Sequence, residues 1–151
     1  MSLSSDHPRL TFLFFLREPA DEGSRTAVAS LVHELRGRRR WLLGPPAFVD
    51  EVGAEANEDG SLIETVGGAL EVYSTLRGLT IPERLDEQQL EEVETIVAAV
   101  ADLSGREGLD FDFELGLAPV GSVESGMLDH SLREVLINEW RKSLNERRQK
   151  S

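Results

Sequence analysis

The chain of 151 residues contains no cysteine and no long apolar run. The first absence excludes disulfides, cysteine nucleophiles and thiolate metal sites, and it is typical of proteins from a reducing compartment. Apolar runs such as residues 12–16 are far shorter than the roughly 20 residues that cross a bilayer. The first nine residues also lack the basic and apolar regions of a signal peptide. We therefore expect a cytoplasmic protein that has no membrane partner.

Basic residues are scarce relative to acidic ones. The sequence has 16 Lys and Arg against 28 Asp and Glu, which gives a formal net charge of −12. Such a charge repels the phosphates of nucleic acids and of anionic lipids, so we expect neither as the main partner. It favours a basic protein partner, although a plain contribution to solubility explains the same excess.

The length suits one domain, and no linker or repeat divides the chain. We predict a single domain over 1–151, with loose ends at 1–8 and 146–151. The first element, residues 9–17, is a strand with apolar residues on both of its faces, which is typical of a central strand covered on both sides. The C-terminal helix could supply that second cover, although a ferredoxin-like layout has its helices on one face of an antiparallel sheet.

The remaining patterns predict the order β-α-β-β-α-β, followed by a short strand and a terminal helix. Pro45 and Pro46 interrupt the apolar stretch 41–52 and indicate an edge strand or two short pieces, because proline cannot donate to a ladder. Residues 62–73 form its hairpin partner, and Gly67-Gly68 indicates a bulge or a close backbone approach. The fold class is therefore α/β in the α+β sense: a ferredoxin-like βαββαβ antiparallel sheet with an extra short strand and a C-terminal helix.

Motifs for catalysis or for cofactors are not found. The three histidines have no metal-ligand spacing, and no serine lies in a nucleophile-elbow pattern. Gly67-Gly68 lacks the lysine of a phosphate-binding loop. We therefore predict no catalytic residue, no cofactor and no established metal site, and we regard an enzyme as the less favoured class.

The most prominent polar pattern lies on the strand at 109–117, where Asp110, Asp112 and Glu114 alternate with apolar residues. Three carboxylates on one strand face could hold Mg²⁺. Alternation by itself also places polar residues on the wet face of such a strand. A third interpretation is a docking surface for a basic partner, formed by these three residues together with Glu91 and Glu94 of the second predicted helix.

The C-terminal stretch carries a family resemblance. Residues 120–140 contain Gly-Ser-Val-Glu-Ser-Gly, then Asp-His-Ser-Leu, and end in Leu-Ile-Asn-Glu-Trp. This sequence resembles a strand, turn and helix of bacterial immunity proteins from contact-dependent inhibition and other polymorphic-toxin systems. The resemblance covers about 25 residues and implies a non-enzymatic protein that binds and neutralises a toxin, often a basic nuclease. It implies no particular contact residues.

Three hypotheses remain open from the sequence. The first is an acidic binding protein that docks a basic partner, with an immunity protein as its most specific form. The second is a metal-dependent enzyme that uses Asp110, Asp112 and Glu114. The third is a homo-oligomeric scaffold, whose interface would be the proline-broken edge or the terminal helix.

Overall fold

The computed structural model describes residues 7–56, 60, 62–75 and 79–150. For residues 54–56 and 62–63 it describes the backbone alone. It is an α+β structure built on one antiparallel sheet. The strands are β1 (Arg9–Leu16), β2 (Ala47–Ala56), β3 (Leu62–Tyr73), β4 (Phe111–Leu115), β5 (Ala118–Glu124) and β6 (Met127–Leu128). The α-helices are α1 (Glu22–Arg38), α2 (Glu83–Glu107) and α3 (Glu139–Lys150), and a π-helix, Ser131–Asn138, leads directly into α3.

The strand order confirms the predicted topology. The sheet runs β2-β3-β1-β4-β5-β6, and all neighbouring strands are antiparallel. Its first four strands have the order of a ferredoxin-like βαββαβ unit, and β5 and β6 extend the sheet beyond β4. The predicted hairpin is formed by β2 and β3, with β2 at the edge of the sheet.

In the part of the chain that the structure describes, all the helices lie on one face of the sheet, as in the ferredoxin-like layout, and none of them supplies a second layer over β1. Phe12, Phe14 and Leu16 of β1 are buried under the helices, whereas Leu13 and Phe15 on the other face are only partly buried. The terminal helix packs against α2 and β5 instead of crossing the sheet. The sequence left one-sided and two-sided cover open, because alternation shows that both faces of β1 are apolar but not which face a distant helix will cover.

Two short-range features position the helices. Asp21 caps α1: its side chain accepts a hydrogen bond from Ser24 N at 2.7 Å, and Ser24 Oγ accepts one from Asp21 N. Helix α2 begins at Glu83, so that Asp86 lies in its first turn. Asp86 turns inward, where it binds groups of the terminal helix.

The terminal helix begins in close contact with β5. A Cβ atom added at Gly121, whose φ is +146°, would lie 2.6 Å from Cβ of Leu132, so this approach requires glycine. Asp129 Oδ1 accepts a hydrogen bond from Leu132 N at 2.9 Å at the start of the helix. The predicted loose C-terminal segment is helical as far as Lys150, and Arg147 in it bonds to α2.

The core is one continuous apolar cluster between the sheet and the helices. Its centre holds phenylalanines of β1 and β4, with the rings of Phe12 and Phe113 stacked 5.6 Å apart. In the part of the chain that the structure describes, no helix is both long and apolar enough to cross a bilayer.

Candidate protein-docking face

The face of the sheet that is turned away from the helices has an apolar centre. The register places Leu13 of β1 beside Ala69 of β3, and Phe15 of β1 beside Gly67 of β3. On the other side of Gly67 lies Val49 of β2. Among the described residues, no helix packs over this side, so Leu13, Phe15 and Val49 remain partly exposed. An apolar sheet face that keeps contact with water is a common form of interaction surface.

A shallow cavity of about 470 Å³ adjoins this apolar centre at Phe15. Its polar lining includes Asp112 and Glu114 of β4, Ser122 of β5 and Asp129 of the turn before the terminal helix. We call this group, together with Phe15, the acidic sheet-face site. An aromatic side chain next to three carboxylates suits the long aliphatic stem and charged end of a lysine or arginine side chain.

Asp112 is held in place by two neighbouring strands. Arg17, directly after β1, donates to Asp112 Oδ1 from Nη2 at 3.0 Å, and Ser122 Oγ of β5 donates to the same oxygen at 2.7 Å. Partial burial raises the pKa of Asp112, but the hydrogen bonds from Arg17 and Ser122 outweigh it and the pKa is lowered below its usual value of 3.8. Asp112 is therefore a carboxylate at neutral pH.

Arg17 also joins two further carboxylates. Its Nη1 lies 2.7 Å from Glu124 Oε1 and 3.9 Å from Asp110 Oδ2. The hydrogen bond to Asp112 and, after it, the one to Glu124 raise the pKa of Arg17 further above its already high value. Glu114 lies beside Leu13 in the sheet and has no ion-pair partner among the described residues.

The site lies at the acidic end of the molecule. At this end β1 finishes, β3 and β4 begin and α1 starts. Two arginines there pair with several carboxylates: Arg17 with Asp110, Asp112 and Glu124, and Arg25 of α1 with Asp50 and Glu64. The arginines that follow α1 lie at the opposite end, because α1 runs back along the sheet. This separation leaves a field that attracts cations near the acidic sheet-face site.

The structure divides the five predicted partner-binding residues into two groups. Asp110, Asp112 and Glu114 belong to β4 and its approach, whereas Glu91 and Glu94 lie on α2, across the sheet in the helical layer. There Glu91 lies 3.6 Å from Arg39, and Glu94 is paired with Arg141. The single surface predicted from sequence is therefore not formed, because only the fold decides on which side of the sheet a helix lies.

The carboxylates of β4 do not converge as the metal hypothesis requires. Asp112 directs an oxygen to a guanidinium, which occupies the position that a cation would take. Among residues 7–56, 60, 62–75 and 79–150, no group of three or more His, Cys, Asp or Glu side chains is arranged to hold a metal ion.

Several members of the site were not singled out from the sequence. Phe15 and Leu13 were expected to be covered, and Arg17, Ser122 and Asp129 had no assigned role. The sequence feature that could have identified Arg17 is its position one residue after a central strand, from which its side chain can reach the strands on either side.

Comparison with known proteins adds no further assignment. No protein-family model matches the chain, and no curated protein or solved structure is significantly similar to it.

Proposed function

We propose that this chain is a binding protein that docks a basic protein on the uncovered face of its sheet. The observation that carries the proposal is the combination of an apolar centre at Leu13 and Phe15 with a carboxylate-lined cavity at its border. An apolar centre with a polar rim is the usual anatomy of a protein interface. The acidic end adds the charge that steers a basic partner towards it.

The cavity beside Phe15 is the part of the proposed interface that receives a basic side chain. A lysine or arginine of the partner enters the cavity, packs its stem on Phe15 and places its charge near Glu114. Glu114 is available for this contact, whereas Asp112 is shared with Arg17 and Ser122. Charged anchors that become desolvated in such pockets account for much of the affinity of an interface.

The resemblance of residues 120–140 to immunity proteins suggests one kind of basic partner, a toxin that the chain neutralises. The turn with Asp129, which lines the cavity, belongs to that stretch. The cytoplasmic location expected from the sequence is part of the same proposal.

The test is a pull-down with the tagged chain from its native host at low and moderate salt, read by mass spectrometry. Wild type is compared with Glu114→Arg, which reverses the free charge of the site, and with Glu91→Arg, its control on the helical side. We expect one basic protein that is lost as salt rises, lost with Glu114→Arg and kept with Glu91→Arg. Neutralisation of that protein's toxicity on co-expression then tests the immunity form.

Two outcomes contradict the proposal. The first is that no partner is captured at either salt concentration, or that capture is indifferent to Glu114→Arg while circular dichroism shows the variant folded. The second is a stable dimer in light scattering that Leu13→Arg converts to monomer, since a second copy would then cover the face. That result would favour the homo-oligomeric scaffold.

A further inference from the structure

A second cavity lies on the helical side of the sheet and is separate from the acidic sheet-face site. It has a volume of about 530 Å³, within the range of small-molecule pockets. Leu10 of β1, Val72 of β3 and Leu115 of β4 form its floor, at the end of the sheet where β1 begins. Leu136 and Trp140 of the terminal helix form one wall.

The deepest polar groups of this cavity bind one another. Trp140 Nε1 donates to Asp86 Oδ1 at 2.7 Å, and Arg147 Nη1 donates to Asp86 Oδ2 at 3.0 Å. Arg147 also donates from Nη2 to the carbonyl oxygen of Ile81 at 3.0 Å. Asp86 is only 8% exposed, so this cluster forms a fixed polar corner in an otherwise apolar pocket.

The charges of that corner cancel. The carboxylate of Asp86 is compensated by Arg147, so a charged ligand group would lose its hydration without gaining an uncompensated counter-charge. Glu139 lies at the rim and is exposed, where water screens its charge. The remaining N–H groups of Arg147 and the hydroxyl of Ser143 can still hydrogen-bond an uncharged head group.

We propose that this pocket binds a small uncharged organic molecule, whose apolar chain or ring packs between the sheet floor and Trp140 and whose hydroxyl or carbonyl group meets the Asp86–Arg147 corner. This binding does not depend on the docking of a basic protein, because the two sites lie on opposite sides of the sheet.

The experiment uses three probes that share one chain and differ in the head group: 1-octanol, octanoate and octylammonium. Each is titrated into the full chain while the indole N–H resonance of Trp140 is followed by NMR, in a Trp41→Phe background that leaves one indole. We expect saturable shifts with 1-octanol and at least tenfold weaker binding of both ions. If either ion binds as tightly as 1-octanol, or if none of the three binds, the proposal is overturned.

Variants locate the binding site. Leu136→Phe enlarges a side chain that lines the cavity, and its control, Val135→Phe, places the same side chain on the exposed neighbouring position of the helix. We expect Leu136→Phe to weaken the response to 1-octanol at least tenfold and Val135→Phe to retain it. If Leu136→Phe does not fold, Ser143→Phe at the exposed rim narrows the entrance without altering the core. A folded variant of either kind that still binds 1-octanol with unchanged affinity would overturn the assignment.

Discussion

Arg17 Nη2 lies 3.0 Å from Asp112 Oδ1, although 95 positions separate the two residues in the chain. Strands β1 and β4 are neighbours in the sheet, with Phe15 opposite Asp112, so the residue that follows β1 reaches the carboxylates of β4. The contact fixes the edge of the acidic sheet-face site. It also shows that carboxylates whose spacing suggested a metal site are instead paired with an arginine.

The first prediction concerns this ion pair. We expect Arg17→Gln to lower the free energy of unfolding by about 0.5–1 kcal/mol at pH 7, because both side chains are about one-third exposed and water screens their attraction. The folded-state pKa of Asp112 is lowered, so its stabilising contribution is present above pH 3.8 and is lost as pH falls through the folded pKa. Urea unfolding at pH 7 and in acid measures the difference between variant and wild type, which should shrink in acid. A difference that stays constant or grows there would contradict the prediction.

The second prediction concerns Glu92, a buried carboxyl group on α2 that is 1% exposed. Its Oε2 accepts hydrogen bonds from Leu42 N at 2.8 Å and Gln88 Nε2 at 3.2 Å, whereas Oε1 has no partner among the described residues. Burial raises the pKa of Glu92 above its usual value of 4.5, and the hydrogen bonds offset only part of that effect.

A raised folded-state pKa means that the contribution of Glu92 to stability is fully present below pH 4.5 and is lost as pH rises through the folded pKa. We expect Glu92→Gln to remove this loss, so that the variant gains stability relative to wild type between pH 4.5 and pH 8. Urea unfolding across that range measures the change. The control, Glu91→Gln, removes an exposed neighbouring carboxylate and leaves the buried carboxyl group of Glu92 in place, so it should retain the loss of stability with rising pH. Parallel pH profiles of Glu92→Gln and wild type would refute the prediction.

The third prediction compares two arginines of the terminal helix. Arg147 is paired with Asp86, whose side chain is 11% exposed, whereas Arg141 is paired with the more exposed Glu94. We expect Arg147→Met to cost about 2 kcal/mol of unfolding free energy, because it leaves a buried carboxylate without its cation. Arg141→Met should cost less than about 1 kcal/mol. Thermal or urea unfolding of both variants provides the measurement, and equal losses would contradict the burial argument.

The fourth prediction concerns the contact between β3 and β1. A Cβ atom at Gly67 would lie 1.7 Å from the backbone oxygen of Phe14, which a side-chain rotation cannot relieve. We therefore expect Gly67→Ala to destabilise the fold by more than about 3 kcal/mol. Gly37 in α1 has nothing within 4 Å of the same added atom, so Gly37→Ala is the matched control and should stabilise by up to about 1 kcal/mol. Similar stabilities of the two variants would show that the sheet can adjust at Gly67.

Local patterns were sufficient to predict much of the fold. Alternation and proline placement identified β1, the edge position of β2 and the β2–β3 hairpin, and the order of elements predicted the ferredoxin-like topology. These features follow from residues close together in the chain. The role of Asp86 in the first turn of α2 does not follow from local pattern, because it binds Trp140 and Arg147, which are more than 50 positions away.

The candidate site was only partly predictable. Asp112 and Glu114 were singled out by alternation along β4, and they do line the cavity beside Phe15. Glu91 and Glu94 were assigned to the same predicted surface because of their charge alone. In the structure, the sheet separates them from Asp112 and Glu114. Arg17 and Asp129 were missed, since their contribution depends on which strands become neighbours.

The sequence by itself determined the net charge, the absence of thiol chemistry and the order of helices and strands, because each depends on composition or on local periodicity. The ferredoxin-like order favoured helices on one face of the sheet, whereas the two apolar faces of β1 left a second layer open. Only the tertiary structure decided for the one-sided arrangement. That choice leaves Leu13 and Phe15 uncovered, brings Arg17 to Asp112 and encloses the pocket at Trp140. Its physical reason is that the faces of β1 are both apolar, and the packing of the terminal helix on α2 and β5 selects which of them is buried.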